Sequence, residues 1–159
     1  MARTHVSRIL LALLLGLTVA LPVWANGDET SPLDKKPSEY KEGLKAIKAM
    51  DFQGGVDWMT KAVAVTPKDP DAYNYLGYSY RKLKHYPEAL ENYKKALELD
   101  PDHKGAHEYI GEAYLELNQP EEAQKHLAAL NKICWLPCEE YSDLKEAVEK
   151  YNGATAKKG

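Results

Sequence analysis

Gly43, Gly77 and Gly111 stand 34 residues apart, and that interval restricts the fold more than any other feature of the chain. Self-similarity at such a period means a stack of supersecondary units. Other positions keep the register. Ala46, Tyr80 and Tyr114 follow their glycines by three residues, Gly55, Ala89 and Ala123 by twelve, and Ala62, Ala96 and Leu130 by nineteen. Pro67 and Pro101 close the first two units, and Trp135 holds the equivalent place in the third.

Ala, Leu, Lys, Glu and Tyr dominate the chain and there is a single Phe, which favours helices over strands. Small residues such as Gly77 and Ala89 let two helix backbones approach, and Tyr80, Leu83 and Tyr93 fill the groove between them. Pro101 ends a helix, because it cannot donate to the helical ladder and restricts Asp100 before it. Pro87 and Pro120 suit the first turn of second helices, where a missing N–H costs nothing. One unit cannot bury its apolar face alone, so the units stabilise one another.

With Leu76-Gly77, Tyr80, Ala89, Tyr93, Ala96 and Pro101, the middle unit resembles a tetratricopeptide repeat at almost every signature position. The third unit resembles one well and the first weakly. The resemblance implies an all-α fold, a right-handed superhelical stack of three helix pairs over residues 38–69, 70–103 and 104–135. In the first unit, helices are expected near Ser38–Met50 and Gln53–Val65. Gly54-Gly55 replaces the Glu-Ala of the other units, and each internal glycine costs about 1 kcal/mol relative to alanine. That unit is expected to be the least stable. Tyr141, Leu144, Val148 and Tyr151 recur at helical spacing, which predicts a capping helix over 136–152 that covers the edge of the stack around Leu127 and Leu130. Asn152-Gly153 reads as its stop. Residues 26–37 and 153–159 read as a flexible linker and a loose tail.

Arg3, His5 and Arg8 precede an apolar run from Ile9 to Ala20, then Pro22 and the small-residue site before Asn26. This is the layout of a signal peptide over residues 1–25, cleaved after Ala25. The run is shorter than the roughly 20 apolar residues a spanning helix needs, so no membrane span is expected after cleavage. The expected location is the periplasm or the exterior. The net charge is −3, and loss of Arg3 and Arg8 makes the mature chain more acidic. No basic stripe suggests nucleic acid as a partner.

The resemblance implies an adaptor: the first helix of each unit lines a concave groove that takes a peptide or helix of a partner protein. By register, the groove candidates are Tyr40, Leu44 and Lys48, then Asp71, Asn74, Tyr78, Arg81 and Lys82, then Glu108, Glu112 and Glu116. The three glutamates form an acidic i, i+4 stripe that reads first as a solvated face. One subgroup of the family clamps acidic chaperone tails with Lys, Arg and Asn. Its positions correspond here to Tyr40, Leu44, Tyr75, Gly105 and Tyr109, none of which supplies a cation, so that role is rejected.

Cys134 and Cys138 flank the turn before the cap. In an oxidising compartment they are expected to form a structural disulfide. The alternative is a thiol-redox or metal-handling accessory protein built on the pair, although no Cys-x-x-Cys motif or further ligand accompanies it. His103 and His107 stand at i, i+4 without the zincin Glu between them and read as surface residues. No nucleophile elbow, phosphate loop or catalytic set is evident, so neither an enzyme nor a cofactor is expected.

Overall fold

The computed structural model describes residues 31–156. The predicted signal segment and the linker residues 26–30 lie outside the described residues. Within them the chain forms seven helices: α1 (Ser38–Lys48), α2 (Phe52–Val65), α3 (Pro70–Lys82), α4 (Tyr86–Leu99), α5 (Lys104–Glu116), α6 (Pro120–Ile133) and α7 (Glu139–Ala156). Each odd helix packs on the even helix that follows it, and each even helix packs on the next odd one. The odd helices also touch one another along the stack, whereas the even helices do not. The odd row is therefore the shorter, inner arc of the stack.

Each pair is joined by the same turn. Met50, Lys84 and Asn118, again 34 residues apart, take φ of 60°, 65° and 60°. The next residue's N–H reaches back five residues in all three: Asp51 to Ala46 O at 2.9 Å, His85 to Tyr80 O at 2.9 Å, and Gln119 to Tyr114 O at 2.8 Å. This is the Schellman closure of a helix, built here without its usual glycine. The even helices then restart at once, with Pro87 and Pro120 in the first turn and Asp51 capping the N–H of Gly54.

The core runs as three layers. Tyr40, Val56, Met59, Ala62, Ala72 and Leu76 form the first. Ala89, Tyr93, Ile110 and Ala113 form the second. Leu115, Ala123, Leu130, Leu144 and Val148 form the last, with Leu127, Tyr141 and Tyr151 packed against it. Helix α7 thus covers the edge of the third pair. Gly55, a weak point by propensity, has a packing reason: a β-carbon there would stand 2.6 Å from Ser79 Oγ and 2.9 Å from Ile47 Cγ1.

Two boundaries differ from the sequence expectation. Helix α7 does not stop at Asn152-Gly153 but continues to Ala156. Gly153 faces open space, so it weakens the helix without an αL turn to end it, and the Tyr151 hydroxyl bonds Asn118 to hold the last turns down. Nor is the whole of 26–37 a loose linker. The Lys36 ammonium bridges Asp69 at 2.7 Å and Asp71 at 2.8 Å, pinning the entry to α1 against the start of α3.

Cys134 and Cys138 are joined as a disulfide across the α6–α7 turn, with their Cα atoms 5.9 Å apart. The turn leaves Trp135 94% exposed. Closing so short a loop stabilises by at most about 2 kcal/mol on the chain-entropy argument. Urea unfolding should therefore show the double serine variant still folded and weaker by about 1–2 kcal/mol. Leu144→Ala, which empties a fully buried site, should cost more, about 2–4 kcal/mol.

Candidate functional site

An aromatic ladder runs from the start of α2 onto the inner arc. Phe52 and Tyr78 meet edge to face at 6.2 Å, and Tyr78 and Tyr109 lie 5.0 Å apart. The Lys82 ammonium lies 5.7 Å from the rings of both Phe52 and Tyr78. Arg81 is buried, with its guanidinium 5.5 Å from the Tyr78 ring and 5.6 Å from the Tyr109 ring. It also bonds Glu112 at 2.6 Å and Glu116 at 2.8 Å. The acidic stripe on α5 is therefore not a bland solvated face. Arg81 on α3 bridges two of its members.

The third member is left out. Glu108 is only 9% exposed, and no ion pair or hydrogen bond reaches its carboxylate among the described residues. Burial, followed by the charges of Glu112, Asp143 and Glu140, raises its pKa to about 8. One turn outward on α3, Asp71 is held ionised. His103 donates to it from Nε2 at 3.1 Å and Lys36 adds its ammonium, which together keep its pKa well below the carboxylate range. The His103 Nδ1 accepts the Ala106 N–H at 3.1 Å, so the proton sits on Nε2 and the ring both caps α5 and orients Asp71.

These groups surround a cavity of about 330 Å³ between the inner helices. Asp71, Asn74 and Tyr75 line it from α3, Glu108 and Tyr109 from α5, and Glu139, Glu140 and Asp143 from the start of α7. Asn74 is 4% exposed and its Oδ1 is buried without a hydrogen-bond partner. Gly105 opens the room for this side chain, since a β-carbon there would stand 3.1 Å from Asn74 Nδ2.

Of the residues the sequence selected, Asp71, Asn74 and Glu108 meet at the cavity, while Tyr78, Arg81, Lys82, Glu112 and Glu116 form the adjoining ladder and ion network. Tyr40 and Leu44 belong to the first core layer, Tyr40 edge-on to Tyr75 at 6.0 Å. Lys48 is exposed in the last turn of α1 and joins none of these groups. Sequence reasoning missed Tyr75, Tyr109, His103 and the acids of α7. The register contained them: Tyr75, Tyr109 and Asp143 are successive steps of 34 residues, so α7 continues the inner row as though it opened a fourth unit.

The two histidines expected at the surface are also corrected. His103 is the cap just described. His107 is buried, donates from Nε2 to Pro101 O at 3.0 Å, and accepts through Nδ1 from His126 Nδ1 at 2.9 Å. Burial and then His107 lower the His126 pKa to about 4. Cys134 and Cys138 lie outside the cavity, which their residues do not line. Among the described residues no group of three or more His, Cys, Asp or Glu is placed to hold a metal ion, and no helix is long and apolar enough to cross a membrane.

These shifts act on stability in opposite senses. Glu108, with a raised folded pKa, contributes stability that is present below about 4.5 and lost as pH rises through about 8. His126, with a lowered one, contributes stability that is present above about 6.5 and lost as pH falls through about 4. The two limbs offset one another between about pH 4.5 and 6.5, so wild type should be most stable over that interval and lose stability as the pH rises on towards 8. Glu108→Gln should remove the alkaline decline, gaining on the order of 1–3 kcal/mol over wild type at pH 9, and keep the acid one. Urea midpoints at pH 4.5, 6.5 and 9 check both limbs.

Residues 70–103 and 92–125 each match a family model described as tetratricopeptide repeat. No curated protein sequence matches the chain. Among solved structures, it is similar to the first TPR of Spaghetti (RPAP3) bound to HSP90 peptide SRMEEVD, at 22% identity and TM-score 0.65 over 74% of this chain and 90% of that one. It is also similar to the TPR2B domain of yeast Sti1 in a complex with pHsp70, at 20% identity and TM-score 0.64 over 73% and 94%. A third is MamA from Desulfovibrio magneticus, at 22% identity and TM-score 0.59 over 64% and 58%.

Proposed function

Because this chain is a tetratricopeptide-repeat protein, we propose that it is an exported interaction module that holds a peptide or helix of another protein along its inner arc. The observation that supports this most is the half-buried ladder of Phe52, Tyr78 and Tyr109, flanked by Lys82 and the Arg81 network. Tyrosines of this kind supply rigid amphipathic contact area and lose little entropy on binding. The similar Spaghetti and Sti1 domains hold chaperone-derived partners. This chain offers a different surface for a partner, since the positions matching the acidic-tail clamp are Tyr40, Leu44, Tyr75, Gly105 and Tyr109. With Asp71, Glu140 and Asp143 beside them, an acidic tail would meet like charge.

Export is supported by the layout of residues 1–25 and by the Cys134–Cys138 disulfide, which suits an oxidising compartment. In this reading the disulfide sets the seat of α7, and the protein acts by binding rather than by thiol chemistry.

Peptides selected from a randomised display library on the purified chain should bind with a dissociation constant that Tyr78→Ala raises at least tenfold by titration calorimetry, with little loss of stability. The double serine variant should bind them as wild type does. The acidic peptide SRMEEVD should not bind. Selected peptides that ignore Tyr78, or a serine variant that folds but no longer binds, would sink this reading. N-terminal sequencing of protein from its native host should begin at Asn26.

A further inference from the structure

The cavity between α3, α5 and α7 contains more negative charge and more hydrogen-bond acceptors than its own cations satisfy. Asp71 is already matched by Lys36 and His103. Glu112 is matched by Arg81. Neither pairing extends to Glu108, a residue only 9% exposed that lines the cavity. Asn74 Oδ1 beside it is an acceptor cut off from solvent with nothing donating to it. A buried acceptor without a donor is costly and calls for an explanation. Glu140 and Asp143 complete the rim from α7, and among the described residues neither enters an ion pair.

A donor that is also positively charged would satisfy both groups at once. The cavity is too large for a single ion, at about 330 Å³, and its acids do not gather as a metal-binding set. Its walls include the rings of Tyr75 and Tyr109, against which an alkyl stem or a guanidinium plane packs well. Resting on the inner-arc reading above, we propose that this cavity is a specificity pocket for one basic side chain, lysine or arginine, of the bound segment, with Glu108 and Asn74 as its acceptors at the floor and Asp143 and Glu140 as its rim. The aromatic ladder holds the backbone of the segment, and the pocket selects its sequence.

The pocket has a thermodynamic signature. An unliganded Glu108 faces Glu112 on its own helix, Asp71, Tyr75 and Arg81 from α3, and Glu139, Glu140 and Asp143 from α7, with His103 at the edge. Arg81 is the one full cation in this set and is engaged by Glu112 and Glu116, so the free protein holds a proton on Glu108 near neutral pH. A cation entering the pocket expels that proton. Binding near pH 7 should therefore release protons to the buffer and tighten as the pH rises from 6 to 9. Structural stability falls over the same interval, so a site that merely followed the fold would weaken.

The test uses the full chain with two kinds of probe. The first are the blocked monomers N-acetyl-arginine amide and N-acetyl-lysine methylamide, with the neutral citrulline analogue as control, followed by amide NMR. The basic monomers should shift the side-chain amide of Asn74 and the backbone signals of Glu108 and Tyr109, and citrulline should not. The second are display-selected peptides, which should share a lysine or arginine whose replacement by norleucine weakens binding at least tenfold. Glu108→Gln should weaken the same peptides at least tenfold and abolish proton release, although the variant is the more stable protein at high pH. Asp143→Asn, at an exposed position that cannot unfold the chain, should weaken them by about threefold. Equal shifts by citrulline and arginine, or wild-type affinity in Glu108→Gln, would overturn the pocket. If selected peptides bind through Tyr78 with no basic residue in common, the pocket fails and the inner-arc reading stands. If the monomers bind at Asn74 but no peptide is selected, the pocket stands and the inner-arc reading fails.

Discussion

At Gly77 the backbone of α3 lies against the ring of Tyr93, and a β-carbon there would stand 2.7 Å from the ring and 3.1 Å from the carbonyl of Ala89. The same vacancy recurs one period away in each direction. Gly43 admits Met59, and Gly111 admits Leu144, whose methyl groups would come within 2.6 and 2.7 Å of an added carbon. Large side chains can therefore be buried completely at these crossings while the helix axes stay close, α1 to α2 at Gly43, α3 to α4 at Gly77 and α5 to α7 at Gly111. Interiors pack without room to absorb even a methylene, so the stack depends on these missing side chains. The partner at Gly111 comes from α7, which makes the last helix a structural member of the repeat array.

Close approach of the odd helices has an electrostatic consequence. Side chains one period apart on neighbouring helices share a narrow strip of surface, and several of them carry charge. Arg81 resolves part of the conflict by lying between two tyrosine rings and bonding two glutamates of the next helix. Lys36 and His103 resolve another part at Asp71. Glu108 is left unresolved, and its displaced pKa reflects burial without a counter-charge. Stability alone would favour glutamine there. Functional surfaces commonly retain such locally unfavourable groups, and the rest of the fold offsets them.

Much of the architecture was legible because it is periodic. The spacing of glycines, alanines and prolines marked each helix pair, and the apolar spacing of Tyr141, Leu144 and Val148 marked α7. The inner-arc residues Asp71, Asn74, Arg81 and Glu108 were identifiable by register once the family resemblance had indicated which helices line the groove. Other features were hidden because their signals are not local. Lys36 has no helical pattern, yet it meets Asp69 and Asp71 through the fold. The αL turns at Met50, Lys84 and Asn118 carry no glycine to announce them. Gly153 looked like a helix stop, but α7 continues through it because its last turns are tied back to Asn118 through Tyr151.

The sequence by itself determined what repeats: the helix pairs, their order and their small-residue crossings. These follow from steric size and helical period, which each residue carries wherever it lies. Only the tertiary structure decided which charges meet. Glu108, Glu112 and Glu116 are equivalent by spacing, yet two are paired with Arg81 and one is buried alone beside Asn74 and Asp143. That difference arises from the stagger between α3, α5 and α7. Coulomb energy and desolvation depend on distance and burial, and neither is a property of the residue or of its neighbours in the chain.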